Sequence, residues 1–247
     1  MAEQAATRRD FLRAGGALAA GVLLAPGVFL LGPAAARPAG EPASSRQRWG
    51  LLVDTRRCAD GCDACVSACR EENGWGGRGR PETDPQWIRK VRVRDPRSGR
   101  SFSLPVMCQH CAHPPCVDVC PTGASMRRAD GIVLVDRHRC IGCRYCMMAC
   151  PYKARSLEHE AVEDPRPWAP RGKGTVESCT LCVHRVDAGR EPACVEACRR
   201  TGNAALVFGD LADPASEIAR SVRELGGEAL RADLGLDPGV RYLGLNV

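Results

Sequence analysis

The apolar residues of this chain come mostly in short runs. Leu51-Leu52-Val53, Val91-Arg92-Val93, Phe102 to Val106 and Ala205-Leu206-Val207-Phe208 have the length and the β-branched or aromatic content of strands. Asp95-Pro96-Arg97-Ser98-Gly99 predicts a hairpin turn between the second run and the third. Gly131-Ile132-Val133-Leu134-Val135-Asp136 reads as a short buried strand after a turn at Ala129-Asp130-Gly131. Further on, Asp213-Pro214 predicts an N-cap and a first helical residue, with a helix to Leu225 ended by Gly226-Gly227. Tyr242-Leu243 predicts a last strand.

One run is longer. Ala14 to Leu31 is apolar over about 18 residues, the lower limit for a membrane span. It contains Gly15, Gly16, Gly21, Pro26 and Gly27, which weaken a helix. Thr7-Arg8-Arg9-Asp10-Phe11-Leu12-Arg13 precedes it and Ala34-Ala35-Ala36 follows it. Together they predict a twin-arginine export signal over residues 1–36, and a cleaved signal is favoured over an anchor. Residues 37–48, rich in Pro, Ala, Ser and Arg, predict a linker. After the signal, no stretch is long and apolar enough to cross a membrane, so any membrane association must come through a partner.

Composition lowers the expectation of a conventional core. Aromatic residues make up 4% of the chain, with 26 Gly and 18 Pro. Metal ligation can replace hydrophobic burial in such chains, because ligand bonds made only in the folded state are folding energy. The cysteines supply the ligands. There are 16 of them, in four sets of four. The sets are Cys58, Cys62, Cys65, Cys69; Cys108, Cys111, Cys116, Cys120; Cys140, Cys143, Cys146, Cys150; and Cys179, Cys182, Cys194, Cys198. The third reads C-x2-C-x2-C-x3-C-P through Pro151, the run that bacterial ferredoxins use to hold [4Fe–4S] clusters. The second has the same ending, through Pro121, with a longer internal loop. The first and fourth have irregular loops and are followed by Arg70 and Arg199, yet every set ends in C-x3-C. In two-cluster ferredoxins the last cysteine ligates the other cluster. Residues four apart on a helix are about 6 Å apart along its axis, so clusters sharing such a pair must be neighbours.

Other chemistries fit less well. A disulfide framework suits an even cysteine count in an exported chain, and zinc accepts four-cysteine sites. The C-x3-C-P endings and the export signal favour iron–sulfur over both. The haem motif C-x2-C-H is absent from the sequence. His110, His113, His138, His159 and His184 could ligate, but four complete cysteine sets leave no vacancy. The formal charge of +6 raises nucleic-acid binding, but the arginines are scattered and lack interleaved stacking aromatics. Arg70, Arg139, Arg144, Arg199 and Arg200 lie beside cysteines and are expected to balance thiolate charge. Val117, Val119, Ile141, Met147 and Met148 are positioned to exclude water, or simply to pack. Gly61 and Gly142 precede ligands and should let backbone N–H groups approach sulfur. No Gly-rich nucleotide fingerprint and no substrate constellation point to a catalytic site.

The string Cys108-Gln-His-Cys-Ala-His-Pro-Pro-Cys-Val-Asp-Val-Cys-Pro resembles that of four-cluster ferredoxin-like subunits of membrane-linked respiratory complexes. So do Asp130-Gly131-Ile132-Val133 and the string from Arg139-Cys-Ile-Gly-Cys to Cys150-Pro151-Tyr152. Polysulfide, tetrathionate and dimethyl sulfoxide reductases are of this kind. The export signal, Asp60-Gly61-Cys62 and Met147 to Ser156 are most similar to the periplasmic iron–sulfur subunit of the dissimilatory sulfite-reduction transmembrane complex. The resemblance implies an α+β, loop-rich fold over residues 49–210, with two bacterial-ferredoxin-like modules organised around four [4Fe–4S] clusters. The inner module would span about 104–157, the outer about 49–75 with 175–210, and 211–247 would be a docking tail. It also implies the cross-ligation. Cys58, Cys62 and Cys65 would share a cluster with Cys198, and Cys179, Cys182 and Cys194 with Cys69. Cys108, Cys111 and Cys116 would share one with Cys150, and Cys140, Cys143 and Cys146 with Cys120. The function implied is electron transfer in sulfur metabolism between an integral-membrane quinone-interacting subunit and a redox partner. That partner would be a periplasmic cytochrome or a molybdopterin catalytic subunit. The alternatives are the electron-transfer subunit of a molybdopterin oxidoreductase and a zinc-stabilised interaction module.

Overall fold

The structure is a computed structural model that describes residues 41–245. The expected export signal lies outside the described residues. Strand β1 (Trp49–Asp54) is the centre of a three-stranded sheet. It pairs antiparallel with β8 (Leu206–Asp210), Leu51 opposite Phe208. It pairs parallel with β9 (Val240–Leu243), Leu51 opposite Val240. Leu51, Leu52 and Val53 are all buried, as expected for a strand covered on both faces. The sheet thus joins segments from both ends of the described chain, and the last strand, Val240, Tyr242 and Leu243 included, is core.

The expected hairpin forms from β2 (Ile88–Arg94) and β3 (Ser101–Met107), with Arg94 opposite Ser101. Asp95 closes its turn by accepting from the Arg97 N–H at 2.9 Å, and Gly99 has φ +73°. Two small pairs complete the strands: β4 (Ser125–Arg127) with β5 (Val133–Val135), and β6 (Ser156–Leu157) with β7 (Val176–Glu177). Apolar patterning predicted β5 but not its partner, because Ser125-Met126-Arg127 has no apolar run. The two-residue β6 and β7 are too short to leave a pattern.

The helices are α1 (Ala64–Asn73), α2 (Pro115–Asp118), α3 (Tyr145–Ala149), α4 (Val183–Asp187), α5 (Ala193–Arg200) and α6 (Glu217–Leu225). Helix α1 packs on α5, and α2 on α3. Helix α6 starts later than expected. Its N-cap is Ser216, whose Oγ accepts from the Ala219 N–H at 3.1 Å. Asp213 instead closes a turn on the Ala215 N–H at 2.9 Å, so its side chain is already engaged before the helix begins. The stop at Gly226, in the left-handed region, is as expected.

The long excursion between β6 and β7 is held by buried charge. Glu158 and Glu177 are fully buried and both bind Arg171, at 2.6 and 3.0 Å. Trp87 donates its indole N–H to Glu177 at 2.6 Å, and Arg78 binds Glu158 at 3.0 Å. Losing one partner here would strand a buried charge, which costs about 3–5 kcal/mol. The network fixes Glu177 and Ser178, and so the entry to Cys179.

Candidate metal centres

All 16 cysteines are free thiols in the structure. Many form the core itself: Cys65, Cys69, Cys108, Cys116, Cys146, Cys179, Cys194 and Cys198 pack with Leu51, Val53, Trp75, Trp87 and Tyr242. The helices distribute them reciprocally. Helix α1 carries Cys65 and Cys69, and α5 carries Cys194 and Cys198. Burial pushes the Cys65 thiol up to about 12, helped by Cys58, Cys198 and Cys62. Burial raises Cys69 well above the ordinary thiol range, helped by Cys179 and Cys182. So Cys65 faces the cysteine of the partner helix that lies last in sequence, and Cys69 faces the other set. Cys58, Cys62, Cys65 and Cys198 make one group, here site I. Cys69, Cys179, Cys182 and Cys194 make site II.

The α2–α3 pair repeats the exchange. Burial pushes Cys111 up to about 11, with Cys116 and Cys150 adding. Cys108 is pushed to about 12 by burial against the pull of Arg155, with Cys116 and Cys150 adding. These four make site III. Burial raises Cys146, Arg155 opposes, and Cys140 and Cys120 add. Cys143 follows Cys140 on the same loop, and these four cysteines are labelled site IV. The thiols of each group act on those of the next. Cys65 of site I acts on Cys194 of site II, Cys108 of site III on Cys179 of site II, and Cys146 of site IV on Cys116 of site III. Sites II and III are entirely buried. Cys58 and Cys62 of site I, and Cys120 and Cys140 of site IV, are half-buried, while Cys143 is exposed.

The donor sets suit an iron–sulfur cluster. One cavity is lined by all four site II cysteines, with Asn73, Trp87 and Leu181. Another is lined by all four site III cysteines, with Tyr152 and Arg155. In each, four thiols converge on one space. Among the described residues no three His, Cys, Asp or Glu side chains are placed to hold a single metal ion. A zinc site needs four ligands that meet about 2.3 Å from one point. Sulfur acceptors are also provided for. Trp75 donates its indole N–H to Cys69 at 3.3 Å, and Ala205 its backbone N–H to Cys198 at 3.2 Å. Ser125 does so to Cys120 at 3.3 Å, Val176 to Cys140 at 3.4 Å and Leu181 to Cys179 at 3.3 Å.

Sequence reasoning misses these donors, because four of the five are backbone N–H groups without a residue signature and the aim of all five, the Trp75 indole included, is set by the fold. One glycine before a ligand also serves the backbone. Gly142 has φ +69°, and a Cβ there would meet the Gly174 carbonyl at 2.2 Å, so it permits a close backbone crossing. The irregular loops also have causes. In the first set Asp60 accepts from Ser103 and binds Arg92 at 2.9 Å, while the Lys90 ammonium donates to the carbonyls of Ala59 and Cys62 at 2.6 and 2.8 Å. The loop with the extra residue is therefore anchored on the β2–β3 hairpin. In the fourth set the eleven residues between Cys182 and Cys194 hold α4. Arg185 of α4 binds Glu72 of α1 at 2.8 Å and Glu196 of α5.

Two expectations are corrected. The five arginines beside cysteines do not face thiols as their main partners. Arg70 lies over the Trp75 ring at 5.3 Å, Arg139 donates to the Thr122 carbonyl, Arg144 is exposed, and Arg199 and Arg200 pair with Glu191 and Glu196. Carboxylates and solvent offered them easier partners; the cations that act on thiols include Arg155 and Lys90. Ile141, Met148 and Val119, expected to exclude water, are 68%, 71% and 39% exposed, so only Val117 and Met147 pack against the core. Of the histidines, His110 is buried; burial, then Arg48 and Arg155, push its pKa down to about 3, and its Nδ1 accepts from the Val133 N–H at 3.0 Å. His184 lies 2.7 Å from Glu72.

Comparison with known proteins agrees with this chemistry. Residues 100–210 match the 4Fe-4S dicluster domain family. The chain is 43% identical to the Hdr-like menaquinol oxidoreductase iron-sulfur subunit 1 of Archaeoglobus fulgidus, over 96% of this chain and 97% of that protein. It is 39% identical to a tetrathionate reductase subunit of Salmonella typhimurium, over 97% of this chain and 89% of that one. It is 40% identical to a sulfite dehydrogenase subunit of Allochromatium vinosum, over 78% of this chain and 81% of that one. With two cavities lined by four thiols each and relatives matched over most of their length, the chain belongs to the family of ferredoxin-like, [4Fe–4S]-binding electron-transfer subunits of oxidoreductase complexes.

Proposed function

We propose that the chain holds four [4Fe–4S] clusters at sites I to IV, with the four cysteines of each site as ligands. The reciprocal arrangement of thiols on the α1–α5 and α2–α3 pairs carries this reading. On this reading there are two ferredoxin-like modules: the outer holds sites I and II, the inner sites III and IV. When bound, the clusters supply one-electron redox chemistry. The chain's own residues do the rest. They set the four sites in succession, bury the middle two, and leave thiols of the end sites partly exposed where partners can approach.

One partner is an integral-membrane quinone-interacting subunit. The name of the menaquinol oxidoreductase relative supports this. The other is a redox partner of sulfur metabolism, a periplasmic cytochrome or a molybdopterin catalytic subunit. A second reading, service to a molybdopterin oxidoreductase, is favoured by the tetrathionate reductase and sulfite dehydrogenase relatives. Both readings have the protein in the periplasm, exported by the twin-arginine signal.

Metal analysis of anaerobically purified protein tests the cluster number: about 16 iron and 16 sulfide per chain are expected. Zinc with negligible sulfide in a folded preparation would end the reading. Replacing Arg8 and Arg9 together by lysine should leave cluster-loaded protein in the cytoplasm. Normal periplasmic accumulation of that variant would remove the export proposal.

A further inference from the structure

Arg155 is an anomaly among the buried cations. It is 6% exposed, and neither Nη1 nor Nη2 meets an oxygen or nitrogen acceptor; the thiols of Cys146 and Cys116 are the groups placed to accept from it. Among the described residues no carboxylate forms an ion pair with it. Arg171, buried as deeply, shows the contrast, with Glu158 and Glu177 both in contact. A buried cation without an anion is strongly unfavourable. Its position says where the missing anion belongs. Arg155 lines the site III cavity together with Cys108, Cys111, Cys116 and Cys150. It enters there because the chain turns back after Cys150-Pro151, through Lys153 at φ +50°, and runs into β6. Burial works against its charge, and the groups that favour the charge are the thiols of Cys116, Cys108 and Cys146. Two of these belong to site III and one to site IV.

We infer that Arg155 is a shared counter-charge for sites III and IV, which raises the reduction potentials of the clusters held there. The inference rests on the proposed ligand sets. Reduction adds one negative charge to a site that already carries thiolates. A fixed cation in a dry interior stabilises that added charge more than it stabilises the oxidised site, and net charge is one of the factors that set cluster potentials. No thiol of sites I and II is among the groups that act most strongly on Arg155. These two sites serve as internal controls.

The test uses the full chain, purified anaerobically as wild type, R155Q and R155K. Iron and sulfide are assayed first, and each protein is then titrated electrochemically with EPR detection. In R155Q two clusters should become at least about tenfold harder to reduce, a fall of about 59 mV for a one-electron couple, with the others unmoved. R155K should return those two to within about threefold of wild type, about 30 mV. Full loading of R155Q with every potential unmoved would overturn the inference, as would a shift that lysine does not reverse. If R155Q fails to load, R155K decides. Restored loading supports a requirement for the charge, and failure of both variants means that shape, not charge, is needed. A wild-type protein without iron and sulfide would instead remove the proposed function.

Discussion

Trp75 shows how a single side chain reaches a cluster site. Its ring is core, 2% exposed, and its one polar atom donates to the Cys69 sulfur. A hydrogen bond to sulfur favours the more negative, reduced state. Trp75→Phe keeps most of the apolar volume and removes the donor. The expected outcome is unchanged iron content with one cluster's potential lowered by tens of millivolts, in line with a bond worth about 1 kcal/mol. Redox titration reads it directly. Gly142 makes the opposite kind of demand. Any side chain there meets a backbone carbonyl, in a conformation that L-residues rarely adopt. Gly142→Val should lose roughly one cluster's worth of iron, about 4 atoms, by metal analysis.

At the scale of elements, the unit is a helix pair that exchanges cysteines. Cys150 stands just past α3, yet its thiol acts on Cys108, Cys111 and Cys116. Cys120 stands just past α2 and acts on Cys146. Cys150→Ser should therefore damage the site of Cys108, Cys111 and Cys116. Cys120→Ser should damage that of Cys140, Cys143 and Cys146. Site-resolved spectroscopy of both variants checks the pairing, and damage confined to each run's own site would refute it. Strand β9 is a second case. Tyr242 is fully buried between β1 and the β3 hairpin, with its hydroxyl donating to the Pro105 carbonyl at 3.2 Å and accepting from Gln109 at 3.1 Å. Tyr242→Ala should cost about 3–5 kcal/mol, read as a lower midpoint in denaturant.

Over the whole molecule, the candidate metal sites and the core share many residues. Cysteines make up much of the main buried cluster, and the aromatic core is thin. Removing iron and sulfide with a chelator should abolish the cooperative unfolding transition, because ligand bonds are folding energy. Calorimetry or circular dichroism would show it. Reloading should depend on pH. Without metal, burial holds the Cys108 thiol near 12 and the Cys111 thiol near 11, against an ordinary 9.0. Both therefore keep their protons at neutral pH. Ligation needs thiolate, so each ligand must release a proton and metal affinity rises with pH. Reconstitution yield should fall as pH is lowered from about 8.5 to about 6.5.

The chemistry was legible in the residues because cluster ligation is written in local spacing. The four C-x3-C endings and the C-P signatures need no tertiary information, and neither do the strands at Leu51, Val133 and Leu206 or the Asp95 to Gly99 turn. What the tertiary structure decided are the relations between distant segments. β9 joins β1 in parallel across almost 190 residues, which no local pattern foreshadows. Sulfur takes its hydrogen bonds from Trp75, Ser125, Val176 and Ala205, whose aim depends on strands and turns elsewhere. The same holds for charge. Counting arginines near cysteines selected five that found other company, and Arg155 faces the thiols only because the chain folds it into a cavity with no carboxylate in reach. Cysteine spacing is a property of short sequence, whereas hydrogen bonding, burial and uncompensated charge are properties of packed space.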